Sequence, residues 1–89
     1  MAAILLLHFG VYGHTRQICE RLQSDLVSLG HRADVVPLAG GQADPASYDV
    51  IVIGASIRNG KHNPAVVDFI RANQDLLESK PSAFFSVNL

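Results

Sequence analysis

The feature that most constrains the fold of this chain is a short apolar strand that runs directly into a glycine-containing polar loop, and it occurs twice. The first such junction spans residues 4–15, and the second spans residues 51–62. Both strands are runs of apolar residues without polar alternation, which is typical of strands buried on both faces of a parallel sheet. In an open α/β sheet, loops at the carboxyl ends of neighbouring strands form the crevice where ligands bind. The two junctions therefore predict an α/β fold with a binding site at one end of the sheet.

The size and composition of the chain fit one small globular domain. Its 89 residues are 48% hydrophobic, which is enough for a core and argues against disorder. The net charge is −1, with 7 basic and 8 acidic residues and no basic cluster, so we expect no nucleic-acid partner. No apolar run approaches the ~20 residues that a membrane span needs. The single cysteine, Cys19, cannot form an internal disulfide, which fits a reducing, cytoplasmic location.

The spacing of the apolar residues predicts the order β-α-β-loop-β-α-β, which implies a parallel sheet. Strands are expected at 4–7, 33–36, 49–54 and 83–87, and residues 37–47 are expected to form a loop with room for one helical turn. The first helix should begin near His14 or Thr15 and end at Gly30. Cys19 falls on its predicted apolar stripe, which consists of Ile18, Leu22, Leu26 and Leu29.

The second helix is predicted to begin at Asn63 and Pro64, a favourable cap and first helical residue. Pro81 marks a break before the last strand. The apolar face of this single helix is expected to consist of Val66, Phe69, Ile70, Leu76 and Leu77.

The first loop, from Phe9 to Thr15, has the composition of a phosphate-binding turn. The first turn of a helix presents unpaired backbone N–H groups at the positive end of the helix dipole. Gly10 and Gly13 let the backbone approach a ligand closely, and the Thr15 hydroxyl can add a hydrogen bond. These residues are also common in ordinary strand-to-helix turns, so by themselves they leave both interpretations open.

Several sharper motifs do not fit this chain. The first loop lacks the third glycine of the dinucleotide fingerprint, so NAD or FAD bound in that manner is not expected. The pair 60–61 resembles the end of a P-loop, but Gly54 lies one residue too far away from it. Ser56 resembles the serine of a nucleophile elbow, but Arg58 replaces the closing glycine. The four histidines are not at metal-ligand spacing, so we expect no metal site.

Three segments of the chain resemble a known family. Tyr12–Thr15, which follows an apolar strand, resembles the FMN phosphate loop of flavodoxins. Tyr48–Arg58 and Pro81–Leu89 closely resemble the menaquinone-dependent protoporphyrinogen IX dehydrogenase branch of that family. The resemblance runs along essentially all 89 residues and corresponds to the amino-terminal part of the family's domain.

The resemblance implies a flavodoxin-like open parallel sheet of order 2-1-3-4 with FMN at the carboxyl ends of the strands. A fifth strand and the last helices would be missing, so residues 1–89 would be a flavodoxin-like domain truncated at its carboxyl end. FMN would accept hydrogens from a porphyrinogen and pass electrons to a quinone. The implied cofactor-binding residues form a phosphate loop and parts of two ring-side loops: Gly10, Val11, Tyr12, Gly13, His14, Thr15, Ser56, Ile57, Arg58, Asn59, Gly60, Val87, Asn88 and Leu89.

The resemblance carries further expectations. Flavodoxins usually have Ser or Thr at the positions of Gly10 and Tyr12, so we expect weaker phosphate binding here. Arg58 could offset the charge of a reduced flavin or hold an anionic substrate, although an Arg in a polar loop is usually only solvated. Without a fifth strand, the apolar last strand would form an open edge, which predicts self-association or a complementary chain. Peripheral membrane contact also stays open.

Two other functional interpretations remain. The chain could be a general flavodoxin-type electron carrier that has no substrate of its own. It could also be an inactive half-domain that works only with a complementary chain. Whether the chain is itself an enzyme, and which residues would be catalytic, stays open at this point.

Overall fold

The computed structural model describes residues 2–10, 13–38, 44–57 and 64–88, with only the backbone described for residues 57 and 88. The helices and strands alternate in the predicted order, except that the second helix is divided. The elements are β1 (Ala3–Phe9), α1 (His14–Ser28), β2 (Arg32–Pro37), a 3-10 turn (Pro45–Ser47), β3 (Val50–Ile57), α2 (Pro64–Ala72), α3 (Gln74–Ser79) and β4 (Ser82–Asn88).

The four strands form one parallel sheet of order β2-β1-β3-β4, which confirms the predicted strand order. β1 lies inside the sheet between β2 and β3, and all four of its predicted residues, 4–7, are buried. This is why the strand has no polar alternation, since both of its faces are covered. β2 follows β1 in the chain and pairs on one side of it, whereas β3 pairs on its other side. The strand order therefore changes direction between β1 and β3.

One face of the sheet is covered by α1, and here the predicted apolar stripe is partly wrong. Ile18 is 40% exposed and Leu29 is 73% exposed. Ile18 lies about 60° around the helix from Thr15, at 100° per residue, and Leu29 follows the last helical residue. The stripe that faces the sheet consists of Thr15, Cys19, Leu22 and Leu26. Gly30 follows the helix with a φ of +89°, as predicted.

The other face is covered by α2 and α3, which the sequence pattern predicts as one helix. The division falls at Asn73, whose side-chain Nδ2 donates a hydrogen bond to the carbonyl of Phe69 at 2.9 Å. An Asn side chain that donates to the carbonyl four residues earlier competes with the backbone bond to that carbonyl, which explains the interruption. The predicted apolar residues still face the sheet, because they pack against the core around Leu5 and Ile51. None of the helices in the described ranges is long and apolar enough to cross a membrane.

Polar contacts fix the start of β3 beside β1 and β4. The Lys80 Nζ donates hydrogen bonds to the carbonyls of Ala46, at 2.9 Å, and Tyr48. The Asp49 carboxylate accepts a 2.8 Å hydrogen bond from the backbone N–H of Ala3. These contacts join the segment before β3 to two other strands, so the carboxyl ends of β1 and β3 are held in a defined register.

Candidate functional site

The carboxyl ends of β1 and β3 lie side by side and bring the two glycine-containing junctions together. In the parallel register, His8 is paired with Gly54 and Phe9 with Ala55. One residue further along β3, the Ser56 hydroxyl lies 2.8 Å from the hydroxyl of Thr15 in the first turn of α1. Both residues are buried, with exposed fractions of 7% and 0%. This hydrogen bond ties the start of α1 to the end of β3.

Gly10 occupies the space directly beside this hydroxyl pair. A Cβ at position 10 would lie 2.8 Å from the Ser56 Oγ and 2.9 Å from the Thr15 Oγ1. Those distances are shorter than ordinary carbon–oxygen contacts, so at least one of the two hydroxyls would have to move. Flavodoxins usually have Ser or Thr at the position of Gly10. In this structure a side chain there would press against the two hydroxyls, which gives a steric reason for glycine.

The first turn of α1 has the features of an anion site. The helix begins after Gly13, which has a φ of +79°, and no side chain among the described residues caps the helix. The first turn contains no acidic residue, and the first intrahelical hydrogen bond runs from the Gln17 N–H to the Gly13 carbonyl at 3.0 Å. N–H groups in such a turn need an acceptor, and the helix dipole favours a negatively charged one. These residues fit the phosphate of FMN.

Four of the residues predicted for the ring-side loops lie in strands. Ser56 and the backbone of Ile57 belong to β3, and Val87 and the backbone of Asn88 belong to β4. Ser56 is paired with Val87, and Ile57 with Asn88, so the ends of β3 and β4 are adjacent. Both strands extend further than the sequence pattern predicts, and the loops begin later. The other predicted residues lie outside the described ranges: Val11, Tyr12, Arg58, Asn59, Gly60 and Leu89.

Two histidines lie near the site, His8 at the end of β1 and His14 at the start of α1. His8, at the end of β1, is partly buried, and this burial, together with the nearby Arg16 guanidinium, lowers its pKa below the usual value. His8 is therefore neutral near pH 7 and adds no positive charge for a phosphate. His14 is exposed on the first residue of α1. In the part of the chain that the structure describes, no three His, Cys, Asp or Glu side chains are grouped to hold a metal ion.

The direct contact between Thr15 and Ser56 is the feature that sequence reasoning missed. The pattern assigns Thr15 to a phosphate loop and Ser56 to a ring-side loop, as parts of separate sites. The sequence contained a signal for this contact. Thr15 and Ser56 are hydroxyl residues in the segments that follow two strands, and the predicted order makes those strands neighbours. Residues of β3 alternate between the two faces of the sheet, so the register decides which face Ser56 occupies. Only the structure shows that register.

The chain is similar to known proteins in its family, its sequence and its fold. Residues 5–89 match the family described as Flavodoxin domain. Protoporphyrinogen IX dehydrogenase (quinone) of Escherichia coli strain K12 is 44% identical over 78 residues, which are 86% of this chain and 43% of the relative. The protein of the same name from Leishmania major is 36% identical over 87 residues, which are 96% of this chain and 38% of the relative.

The chain therefore spans about two fifths of the length of the curated relatives that it matches. Among solved structures, oxidised flavodoxin 1 from Bacillus cereus is similar, with a TM-score of 0.71 and 18% identity. The alignment covers 94% of this chain and 59% of that chain, and it shows a shared fold. This chain belongs to the flavodoxin family, for which FMN binding at the switch point between β1 and β3 is the standard example of ligand binding in an open α/β sheet.

Proposed function

We propose that this chain binds FMN across the carboxyl ends of β1 and β3 and takes part in the oxidation of a protoporphyrinogen, with a quinone as electron acceptor. Support for the substrate and the acceptor comes from the names of the relatives at 44% and 36% identity. Because the chain spans about two fifths of their length, the proposal concerns the part that these residues contribute to the reaction.

The observation that carries the proposal is the arrangement around the start of α1. An uncapped helix N-terminus without acidic residues, a left-handed Gly13 and the hydroxyl pair of Thr15 and Ser56 lie at the topological switch point. Each of these features favours a phosphate over other ligands, because backbone N–H groups and hydroxyls donate hydrogen bonds to its oxygens.

Each residue then has a role that follows from its position. The first-turn N–H groups of α1 would bind phosphate oxygens. The Thr15 hydroxyl has one proton, so it can donate to the phosphate only while Ser56 donates to it. The backbone at residues 56–57, together with residues 58–60, would border the flavin ring on one side, and residues 87–89 on the other. FMN, when bound, supplies the hydrogen and electron transfer chemistry.

Binding of FMN and riboflavin to the 89-residue chain tests the phosphate assignment. Thr15→Val keeps the shape of the side chain and removes the hydroxyl, so FMN affinity should fall about fivefold or more, at ~1 kcal/mol per hydrogen bond. Riboflavin, which has no phosphate, should bind equally to both proteins. Thr15→Ser, the matched control that keeps the hydroxyl, should retain most of the FMN affinity. Flavin fluorescence quenching gives each of these dissociation constants.

An equal loss of affinity for both flavins in Thr15→Val would show that Thr15 acts through packing, and it would contradict the phosphate assignment. Nanomolar FMN binding by the unmodified chain would contradict the expectation that it binds phosphate more weakly than flavodoxins with Ser or Thr at positions 10 and 12. Turnover of protoporphyrinogen with a quinone then tests the reaction. FMN binding without turnover would favour the electron carrier, and absence of FMN binding would favour a half-domain that needs a complementary chain.

A further inference from the structure

His8 lies in a cleft on the α1 face of the sheet, beside the carboxyl end of β1. The cleft has a volume of about 460 Å³. Apart from His8, its lining comes from α1 and β2 and consists of Arg16, Glu20, Gln23, Val35 and Pro37. The proposed phosphate site uses none of these side chains, so the cleft is a separate feature that lies next to it.

The neighbouring strands surround His8 with groups that cannot balance a positive charge. In the parallel register, Pro37 of β2 pairs with His8 on one side, and Gly54 of β3 pairs with it on the other. The Phe85 ring of β4 lies over Gly54, in the space that a Cβ there would occupy. The described residues of β2, β3 and β4 on this face of the sheet carry no charge.

The charged groups that face His8 come from α1. Arg16 and Glu20 line the same cleft, and the Arg16 Nε lies 3.8 Å from a carboxylate oxygen of Glu20. Burial lowers the pKa of His8, the Arg16 guanidinium lowers it further, and the Glu20 carboxylate opposes this change in part. The folded chain therefore favours the neutral imidazole, because a charge on it would be poorly solvated and close to a cation.

The first turn of α1 is the part of the helix that a charge on His8 would affect. Arg16 directly follows Thr15, the buried residue of the hydroxyl pair. One to two turns further along α1, the Gln23 Nε2 donates a 2.8 Å hydrogen bond to the Ala33 carbonyl, which attaches that part of the helix to β2. Loosening that begins beside His8 is therefore confined to the start of the helix.

We propose that His8 is a pH-sensitive switch for the first turn of α1. While the imidazole is neutral, the turn packs against the end of β1. Proton uptake by His8 repels the Arg16 guanidinium and favours entry of water into the cleft, so the turn loosens in mild acid. Since the folded state disfavours the proton, this contribution to stability is complete above the ordinary pKa of about 6.5 and is lost as the pH falls toward the lowered pKa.

The switch has a consequence for the flavin. The first turn carries the proposed phosphate donors, so loosening it should lower the affinity for FMN as the pH falls. This consequence rests on the proposed function, whereas the loosening of the turn does not.

Amide hydrogen exchange of the unmodified chain tests the switch without a flavin. The Gln17 N–H donates to the Gly13 carbonyl at 3.0 Å and reports on the first turn, and the Ile51 N–H donates to the Pro81 carbonyl at 3.1 Å and reports on the sheet. From about pH 7.5 to about pH 5.5, the protection of Gln17 relative to Ile51 should fall about threefold or more. The midpoint of this loss should coincide with the titration of the His8 imidazole followed by NMR.

Two variants isolate the role of His8. His8→Asn keeps a polar side chain but does not titrate, so it should remove the pH dependence of protection at Gln17. His31→Asn is the matched control, because the His31 Nδ1 accepts a 3.1 Å hydrogen bond from the Ala2 N–H at the opposite end of β1. This control should leave the pH dependence at Gln17 unchanged.

FMN titration at the same two pH values tests the consequence for the flavin. The dissociation constant of the unmodified chain, divided by that of His8→Asn, should rise about twofold or more in acid. The phosphate of FMN itself takes up a proton near about pH 6, but this affects both proteins equally and cancels in the ratio.

Protection at Gln17 that is independent of pH, or a midpoint that differs from the titration of His8, would overturn the proposal. The same pH dependence in His8→Asn and His31→Asn would overturn it too, as would a ratio of FMN dissociation constants that falls in acid. A first turn that loosens as expected in a chain that binds no FMN at either pH would support the switch and contradict only the proposed function.

Discussion

The two faces of the sheet are covered in different ways. On one face, a single helix of 15 residues, α1, buries Thr15 and Cys19 completely. On the other face, two shorter helices of 9 and 6 residues, α2 and α3, fully bury only Val66 among their residues. A groove of about 520 Å³ remains between these helices, β3 and β4. The same sheet therefore has one closely packed face and one that is partly filled.

The difference shows how helix continuity and side-chain size act together. Small side chains at Thr15 and Cys19 let the first half of α1 lie close to the sheet. On the same face, the Phe85 ring fills the space that Gly54 leaves open. The interruption at Asn73 prevents α2 and α3 from acting as one straight helix, and the groove lies beside it. The proposed phosphate site is at the start of α1, so its donors are held by the better packed face.

The largest expected effect comes from adding one methyl group to the α1 face. A Cβ on Gly54 would lie 2.2 Å from the Phe85 Cζ, so Gly54→Ala must displace the ring. We expect the free energy of unfolding to fall by about 3 kcal/mol, the upper range for overpacking a core. Phe85→Leu in the same chain should recover part of the loss, because it removes the colliding ring. Denaturant unfolding measures both.

The matched enlargement on the other face is Leu77→Phe, where the groove offers space. We expect a loss of less than about 1.5 kcal/mol in the free energy of unfolding, because the larger ring extends into the groove. A loss as large as that of Gly54→Ala would show that both faces are equally packed, and the comparison would then fail.

A smaller effect is expected at the phosphate end of the α1 face. Gly10→Ser restores the hydroxyl that flavodoxins usually carry, but its Cβ would collide with the Ser56 Oγ and the Thr15 Oγ1. We expect a loss of about 1–2 kcal/mol in the free energy of unfolding and no gain in FMN affinity. Unfolding and flavin titration of the same preparation measure both quantities. Tighter FMN binding without loss of stability would show that the loop has room for a side chain.

An effect that appears only at high pH concerns the thiol of Cys19, which probes how dry the α1 face is. Burial, with a contribution from Glu20, raises the pKa of Cys19 from 9.0 to about 11. The folded state therefore keeps the thiol proton that the unfolded state loses, so this contribution to stability is complete below pH 9 and is lost as the pH rises to about 11. Unfolding measured across this pH range should show a steeper fall for the unmodified chain than for Cys19→Ala.

The same thiol chemistry sharpens the comparison between the faces. At pH 8, Cys19 should resist thiol reagents until the chain is unfolded, because the thiolate is the reactive form. Leu77→Cys, made in a chain that carries Cys19→Ala, should react in the folded state because position 77 lines the open groove. Equal reaction rates at the two positions would contradict the difference in packing.

Local patterns in the sequence were enough to predict most of the fold. Unbroken apolar runs marked β1 and β3, and helix start and stop residues such as Pro64 and Gly30 marked the ends of the helices. The family resemblance supplied the order of the four strands, which the structure confirms. It also indicated that the candidate site lies where β1 and β3 end. The predictions of the strands and helix ends succeeded because strand burial, helix capping and turn formation depend on residues that are close together in the chain. The location of the site stays a prediction.

Other features depended on contacts between residues that are distant in the chain. The bond between Thr15 and Ser56 joins positions 41 residues apart, and the Phe85 ring beside Gly54 comes from a strand that follows two helices. Sequence periodicity also placed Ile18 on the buried stripe, although the approach of α1 to the sheet leaves it 40% exposed. The sequence by itself determined which segments form strands and helices and where glycines occur. Only the tertiary structure decided which side chains occupy the space beside Gly10 and Gly54, because strand register and helix position set those distances.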